Sequence, residues 1–483
     1  MIRGGFYVFN PSEQMLIGVI VLIYFIFLIG LSFVINKKIK TYDDYNVAGR
    51  SVSTLPLILT FIGTGVGGAT LLGYMENGYS LGMGQQWIHI TMISAVIVLA
   101  LFFLKRIREI GEKHQMVTVG DYAALRYGEK ARLPTGISFL FAYCAMTGMQ
   151  FVAIATILNL TLGISMTVGI LIGWILLTIK TYLGGLKAVV WQDVIQGSLL
   201  TIGVIILFIV VWQQSGSWSE VSSTAVAQNE HAMLNVFNIS SNEIMIYLLT
   251  LACYQFIRQD VWQRIWAANS LKTARNGYWL SMIIAVGLGA IIVGTGVFSR
   301  FGLNIQSENP ALIYYDTIQA VFPTYGVIVM VIVLLAAVIS SADSFFIAGS
   351  SSIANDIIRP LVKDEEKANM VLYSRLSVLI VSIISVILAL KIPGLVNLMV
   401  TGTAMSVSAL LAPIVLGMFW KRPTRMAGVL GMWAGLGLSV LWQILGHPFG
   451  VHPIMVGLPF SFIILMSVTL FSKDRVNSEI SAT

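Results

Sequence analysis

Charge is scarce in this chain. Asp, Glu, Lys and Arg make up 11% of its 483 residues, less than half the share of about 25% usual in a soluble domain. That scarcity excludes an ordinary water-soluble fold. Cysteine is scarcer: Cys144 and Cys253 are the only two, both inside apolar stretches, which argues against a disulfide framework and for two buried thiols. The five histidines are scattered without metal-type spacing. The N-terminus lacks a basic region ahead of a short apolar core, so no cleaved signal peptide is expected. No linker, low-complexity tract or appended soluble module interrupts the pattern; residues 473–483 read as a short polar tail.

Apolar residues are what the chain has in quantity, 57% of it, with a mean hydropathy of +0.85. Runs long enough to cross a bilayer recur from end to end, so the fold class is an all-α polytopic membrane protein. Thirteen spans are expected, near 13–36, 53–76, 84–105, 133–161, 165–183, 188–213, 241–260, 276–299, 324–350, 372–391, 394–419, 426–446 and 452–472. An odd number puts the termini on opposite sides. Of the 29 Lys and Arg residues, all but Arg3, Arg300 and Lys391 fall on one set of loops and span ends. The positive-inside rule then places the N-terminus outside and the C-terminus in the cytoplasm of a plasma-membrane protein. The net charge of +7 is thus a topology signal and implies no nucleic-acid partner.

Chemistry concentrates at Val331–Arg359. Ser340, Ser341, Asp343 and Ser344 directly follow an unbroken apolar run. A carboxylate at bilayer depth costs about 2.5–3.5 kcal/mol on insertion scales, so a partner is expected. Hydroxyls one turn from it offer hard oxygens suited to a small cation such as Na⁺. Close helix packing through small residues is the other reading. Residues 60–73 carry Gly63, Gly65, Gly67, Gly68 and Gly73. Each interior glycine costs close to 1 kcal/mol in a helix, which invites unwinding. Unwound backbone survives in a membrane only where it is buried in protein or lines a cavity, and its carbonyls can then hold an ion. Here too glycine-mediated packing stays open. The second span and the ninth, 324–350, are the two candidate breaks. They fit two inverted five-span repeats, 53–213 and 241–419, with 13–36, 426–446 and 452–472 peripheral, all in one membrane domain over 1–483.

These residues resemble the sodium/solute symporters, a family that includes bacterial sodium/proline, sodium/galactose and sodium/sialic acid carriers. The resemblance covers roughly residues 13–425. Its pieces are Gly184-Gly185-Leu186-Lys187-Ala188 with Trp191-Gln192-Asp193, the run Leu335 to Ser344, and Leu411 to Arg422 around Pro413. Thr118 with Asp121-Tyr122 and Arg126-Tyr127, and Gln263-Arg264, complete it. It implies a LeuT-like core of five plus five inverted spans with discontinuous helices, about thirteen transmembrane helices in all, and sodium-coupled import of a small organic solute by alternating access. It implies Na⁺ as the coupling ion, a monomer in the bilayer as the working unit, and no enzymatic activity.

Carried over residue by residue, the main sodium site falls on Gly63, Val66, Ala337, Ser340 and Ser341. A second sodium site, present in some members, would fall on Asp193, Asp343 and Ser344. Asp343 is a carboxylate where the two-sodium carrier has a hydroxyl, so that ion could be held more tightly or be replaced by a proton or a fixed bond. Asp193 could instead pair with Lys187 or a helix N-terminus. For solute, Tyr254 matches the family's aromatic inner gate, and Thr70, Gln86, His89 and Ser344 are the other candidates. A galactose-like solute is disfavoured because the sugar-binding lysine and glutamine of that carrier have no counterpart. Proline is disfavoured because its carrier's aspartate and tryptophan are Gly65 and Ala69 here. His89 with Gln86 one turn earlier could hydrogen-bond a carboxylate or amide, so an amino-acid-like or carboxylate solute is the expectation. The alternatives are a proton-coupled or uncoupled transporter or sensor of the same fold. A passive channel and an intramembrane Ser/Asp hydrolase also stay on the table, though no base lies near Ser340 or Ser344 in sequence.

Overall fold

A computed structural model describes residues 2–3, 6–7, 9–362, 369–391 and 395–472; the charged turn at 363–368 and the polar tail at 473–483 lie outside the described residues. Apart from a two-residue pair of strands, Ile2–Arg3 with Phe6–Tyr7, the described elements are helices. The first span, Pro11–Asn36, opens on a capping box in which Asn10 and Glu13 satisfy each other's free amides, with Pro11 at the first helical position. The third, fourth and eighth spans are Met83–Lys113, Glu129–Leu162 and Leu271–Phe301; the last four are Met370–Lys391, Leu395–Phe419, Arg425–Ile444 and Pro453–Phe471.

Between them, Met166–Gln214 is a single run of 49 residues broken by one non-helical residue, Gly185 at φ 51° and ψ −162°. A straight helix of that length would reach about 74 Å at 1.5 Å per residue, more than twice a bilayer core of about 30 Å. Gly185 therefore separates the fifth and sixth spans, as the sequence expects. A side chain there would strike the Tyr45 backbone and ring, and the positive φ itself favours glycine.

Two of the expectations about breaks divide. The second span is broken as expected: Thr54–Gly65 ends at Val66, Gly67 is extended, and the helix resumes at Gly68 with a bend of 51°. The ninth span is not broken. It runs without interruption over Thr324–Ser352, and most of its serines bond to their own helix or to a neighbouring one. Ser344 bonds back to the Ser340 carbonyl at 3.1 Å, Ser350 to Ile347 at 3.1 Å, and Ser351 reaches Asn46 at 2.9 Å. The other discontinuity lies in the seventh span, where Ser241–Tyr247 and the wide turn Leu248–Ala252 carry on through 253–254 and give way to turns over 255–257 before Gln259–Ala267. Breaks thus fall in the second and seventh spans, the first span of each expected repeat.

Burial ranks the spans. The most apolar windows of the ninth and eleventh spans are each 78% buried, that of the fourth 72%, and those of the first and thirteenth only 28%. The ninth span lies at the heart of the bundle with the eleventh and fourth, and the outer spans present their apolar faces to lipid. Its small side chains, Ala336, Ala337, Ser340, Ser341, Ala342 and Ser344, let neighbouring backbones approach closely. The polar loop after the sixth span folds as the helix Trp218–Ala227 and a short turn, and Arg300 anchors it through Glu230 at 2.6 Å.

Candidate functional site

The break in the second span lies directly against the ninth. A methyl group added at Gly63 would collide with Ser340, at Gly67 with Ser341, and at Gly68 with Val338. Glycine is required here by close approach, which is why this segment is both apolar and glycine-rich. The Ser341 hydroxyl donates to the Gly63 carbonyl at 2.9 Å and reaches that of Thr64 at 3.4 Å. The Ala337 carbonyl faces Gly67, and Val66, 1% exposed, is the residue at which the first half-helix ends. The five residues expected to hold the main sodium ion are therefore gathered where a broken helix meets an unbroken one. Their oxygens are neutral hydroxyls and carbonyls. Uncharged oxygens of this kind suit a monovalent hard cation better than a divalent one, which gains more from carboxylate ligands.

Ser340 turns the other way, donating to Asp193, which also accepts from Thr60. Asp193 does not pair with Lys187, which binds Asp44 at 2.7 Å. Its cationic neighbour is Arg264, whose Nη2 is 3.6 Å away. Arg264 also donates to Thr60 at 3.0 Å and to Ser344 at 2.5 Å, while Thr64 and Ser344 share a hydrogen bond of 2.7 Å. Asp343 is paired with Lys180. Arg264 and Lys180, counted above among span-end charges, are 0% and 1% exposed at their side chains. They are interior groups rather than topology signals. Removing either partner of such a pair would leave a buried charge unpaired.

A cavity opens beside this cluster, with about 730 Å³ of empty space including its mouth. Thr64, Gly65, Gly67 and Ser341 form the wall it shares with the broken span. Tyr74, Tyr254, Phe345 and the methionines 92, 146 and 149 supply apolar surface; Thr70, Gln150, Gln255 and Thr403 supply polar groups. Arg258 reaches the lining too, but its guanidinium is held by Asp260 at 2.5 Å, and Asp260 also accepts from Tyr143 at 2.8 Å.

Of the solute candidates from sequence, Thr70 and Tyr254 line this cavity. Gln86, His89 and Ser344 do not. Gln86 donates to the Ala290 carbonyl at 2.9 Å, Ser344 is tied to Thr64 and Arg264, and His89 lies one layer back, edge-on to Tyr74 with ring centroids 5.1 Å apart. Both ring nitrogens of His89 are buried without a hydrogen-bond partner among the described residues. The residues that sequence reasoning missed are Thr60, Thr64, Lys180 and Gln150. Only Lys180 carried a signal, a charge well inside an apolar run.

At the basic face, a second network ties the end of the ninth span to the fourth. Asn355 donates to Asp121 at 2.8 Å, Arg132 to Asp121 at 2.6 Å, and Thr118 to Asp356 at 2.5 Å. Burial pushes the Asp121 carboxyl up, but Arg132, the Val117 amide and Asn355 together hold it below the usual carboxylate range.

Known proteins resemble this chain in sequence and in fold. The profile of the Sodium:solute symporter family matches residues 45–435. Sodium/proline symporters of Staphylococcus aureus and Salmonella typhimurium are 25% and 26% identical, over 94% and 96% of this chain and 92% and 94% of theirs. A high-affinity proline transporter of Bacillus subtilis is 24% identical over 90% of this chain and 94% of its own. Among solved structures, a substrate-bound, outward-open sodium-coupled sialic acid symporter matches with a TM-score of 0.80 at 18% identity, covering 96% of this chain and 98% of that one. The nucleobase-cation-symport transporter Mhp1 in a closed conformation matches at 0.60 and 14%, covering 89% and 96%. At such identities these likenesses speak for the fold, a LeuT-like arrangement of helices.

Proposed function

Because the chain belongs to the sodium:solute symporter family, we propose that it carries a small amino-acid-like or carboxylate solute into the cell together with Na⁺, by alternating access. The observation that supports this most is that Ser341 belongs to two places at once. Its hydroxyl binds the Gly63 carbonyl, and the same residue lines the solute cavity. An ion held by Gly63, Val66, Ala337, Ser340 and Ser341 would brace the broken span against the ninth and fix the wall that the solute touches. Solute and sodium then bind more tightly together than apart, which is the coupling free energy a symporter needs. One Na⁺ moving inward down 100 mV releases about 2.3 kcal/mol before any concentration gradient is added.

The solute class rests on the cavity. The helix that resumes at Gly68 has no side-chain cap, and its N-terminal turn borders the cavity at Gly67 and Thr70. Free amides and the positive end of a helix dipole favour a carboxylate there. Gln150, Gln255 and Thr70 suit a second polar group, and Tyr254, Tyr74 and Phe345 an apolar body. Tyr254 and Ser344 are the residues that would shift on inward release.

The repeats 53–213 and 241–419 form the transporting core, a division supported by the matching breaks in their first spans. The clustering of Lys and Arg supports an N-terminus outside and a cytoplasmic C-terminus in the plasma membrane. The test is the thermal stability of the purified protein against a solute library, each compound run in Na⁺ and in choline. A ligand bound only to the folded state raises apparent stability by mass action. A solute that stabilises only with Na⁺ present is the expected result. Stabilisation by solutes that is indifferent to Na⁺ would remove the coupling from this reading.

A further inference from the structure

Two carboxylates, Asp193 and Asp343, stand beside the proposed sodium site, and both are 0% exposed. Either could attract a metal cation in addition to the one at Ser341. Each already has a cation of the chain's own. Lys180 on the fifth span pairs with one oxygen of Asp343, whose other oxygen, Oδ1, has no hydrogen-bond partner among the described residues. Arg264 lies 3.6 Å from Asp193 and hydrogen-bonds Thr60 and Ser344. Two acids and two bases balance. A sodium ion seated between Asp343 and Ser344 would bring a third positive charge against the guanidinium that already holds Ser344 and the ammonium that already holds Asp343. The neutral oxygens of Gly63, Ala337 and Ser341 meet no such opposition.

We propose that Lys180 is the resident counter-ion of Asp343, occupying the position that an exchangeable second cation would need, so that the chain binds one sodium ion and couples solute to that ion alone. The inference rests on the sodium-coupled reading above. It assigns Lys180 a role in ion stoichiometry beyond stabilising the fold. A lysine that only stabilised the fold would lower thermal stability when replaced without altering the number of ions bound. Here its ammonium is what closes Asp343 to sodium.

The experiment is a count of radiosodium bound per chain at saturation, made on the full-length protein purified in detergent and needing no solute. One ion per chain is expected for the wild type and for Lys180→Arg, which keeps a cation on Asp343. Lys180→Met leaves the carboxylate open, and its count should rise to two; adding Asp343→Asn should return it to one. Two ions in the wild type would overturn the proposal, as would a count that stays at one in a folded Lys180→Met protein. Should the methionine variant not fold, Lys180→Gln makes the same test, because its neutral amide also leaves Asp343 without a cation: a count of two supports the proposal and a count of one overturns it. An absence of bound sodium in the wild type would overturn the coupled reading and this inference together, whereas two ions would overturn this inference alone.

Discussion

Replacing Ser341 by alanine separates the two roles its hydroxyl is given. The residue is 1% exposed, and its Oγ spans from the ninth helix to the Gly63 and Thr64 carbonyls at 2.9 and 3.4 Å. As a bond between neutral groups it contributes roughly 0.5–1.5 kcal/mol to stability, so folding should survive its loss. As a ligand to a charged ion the same oxygen is worth about 1.5–3 kcal/mol. At about 1.4 kcal/mol per factor of ten, that is a ten- to hundredfold rise in the sodium concentration needed for half-saturation. Ser350 provides the control. It is equally buried on the same helix but bonds back only to Ile347, so Ser350→Ala should leave sodium binding where it was. The assay is a radiosodium titration at constant ionic strength, balanced with choline, alongside the thermal midpoint. A folded Ser341→Ala protein with wild-type sodium half-saturation would refute the assignment of this oxygen to the ion.

Other substitutions probe the supports of the site. Gly68→Ala should lower the thermal midpoint and weaken sodium binding, because a methyl there meets Val338 on the ninth span and overpacking costs about 1–3 kcal/mol; unchanged values in both assays would contradict the close approach. Arg264→Met should cost about 3–5 kcal/mol by stranding Asp193, and Arg264→Met with Asp193→Asn should recover part of it, read as the yield of monodisperse protein; no recovery would mean the two charges are not coupled. In a chain with Cys144 and Cys253 replaced, a cysteine at Ser12 should react with a membrane-impermeant thiol reagent on intact cells, and one at Lys421 only after permeabilisation. The opposite pattern would invert the orientation.

How much of this could be read from the sequence varied with the kind of physics involved. The spans were legible because a bilayer demands about twenty apolar residues per crossing. The break in the second span was legible because five glycines in fourteen residues weaken a helix, although Gly63, Gly67 and Gly68 also serve close packing against the ninth span. Gly63, Val66, Ala337, Ser340 and Ser341, which the family resemblance singled out, lie close together where the second span meets the ninth, and their role toward an ion is the proposal made above. The break in the seventh span left no such mark. No glycine or proline occurs between Leu251 and Asp260, and the only hint was the polar density of Gln255, Arg258, Gln259 and Asp260 so close to a membrane-spanning run. The ninth span misled in the opposite sense, since serine hydroxyls look like a reason to unwind yet can bond to their own helix or to a neighbour. Lys180 and Arg264 were misplaced because counting charges near span ends cannot distinguish a residue facing water from one facing the bundle. The cavity wall was invisible for a further reason. Met92, Met146, Met149 and Gln150 are unremarked on their own helices and become a site only when the third and fourth spans meet the two breaks.

Sodium coupling is tested most directly by flux in a sealed system. Proteoliposomes loaded with the solute found in the library screen would be diluted into medium that contains radiosodium and lacks that solute, and a second set loaded with buffer alone would serve as the baseline. Radiosodium exchange that changes with internal solute, and loses that dependence in Ser341→Ala, is the expected result. Solute that leaves the vesicles at the same rate in sodium and in choline, with radiosodium movement unaffected by it, would contradict coupled transport.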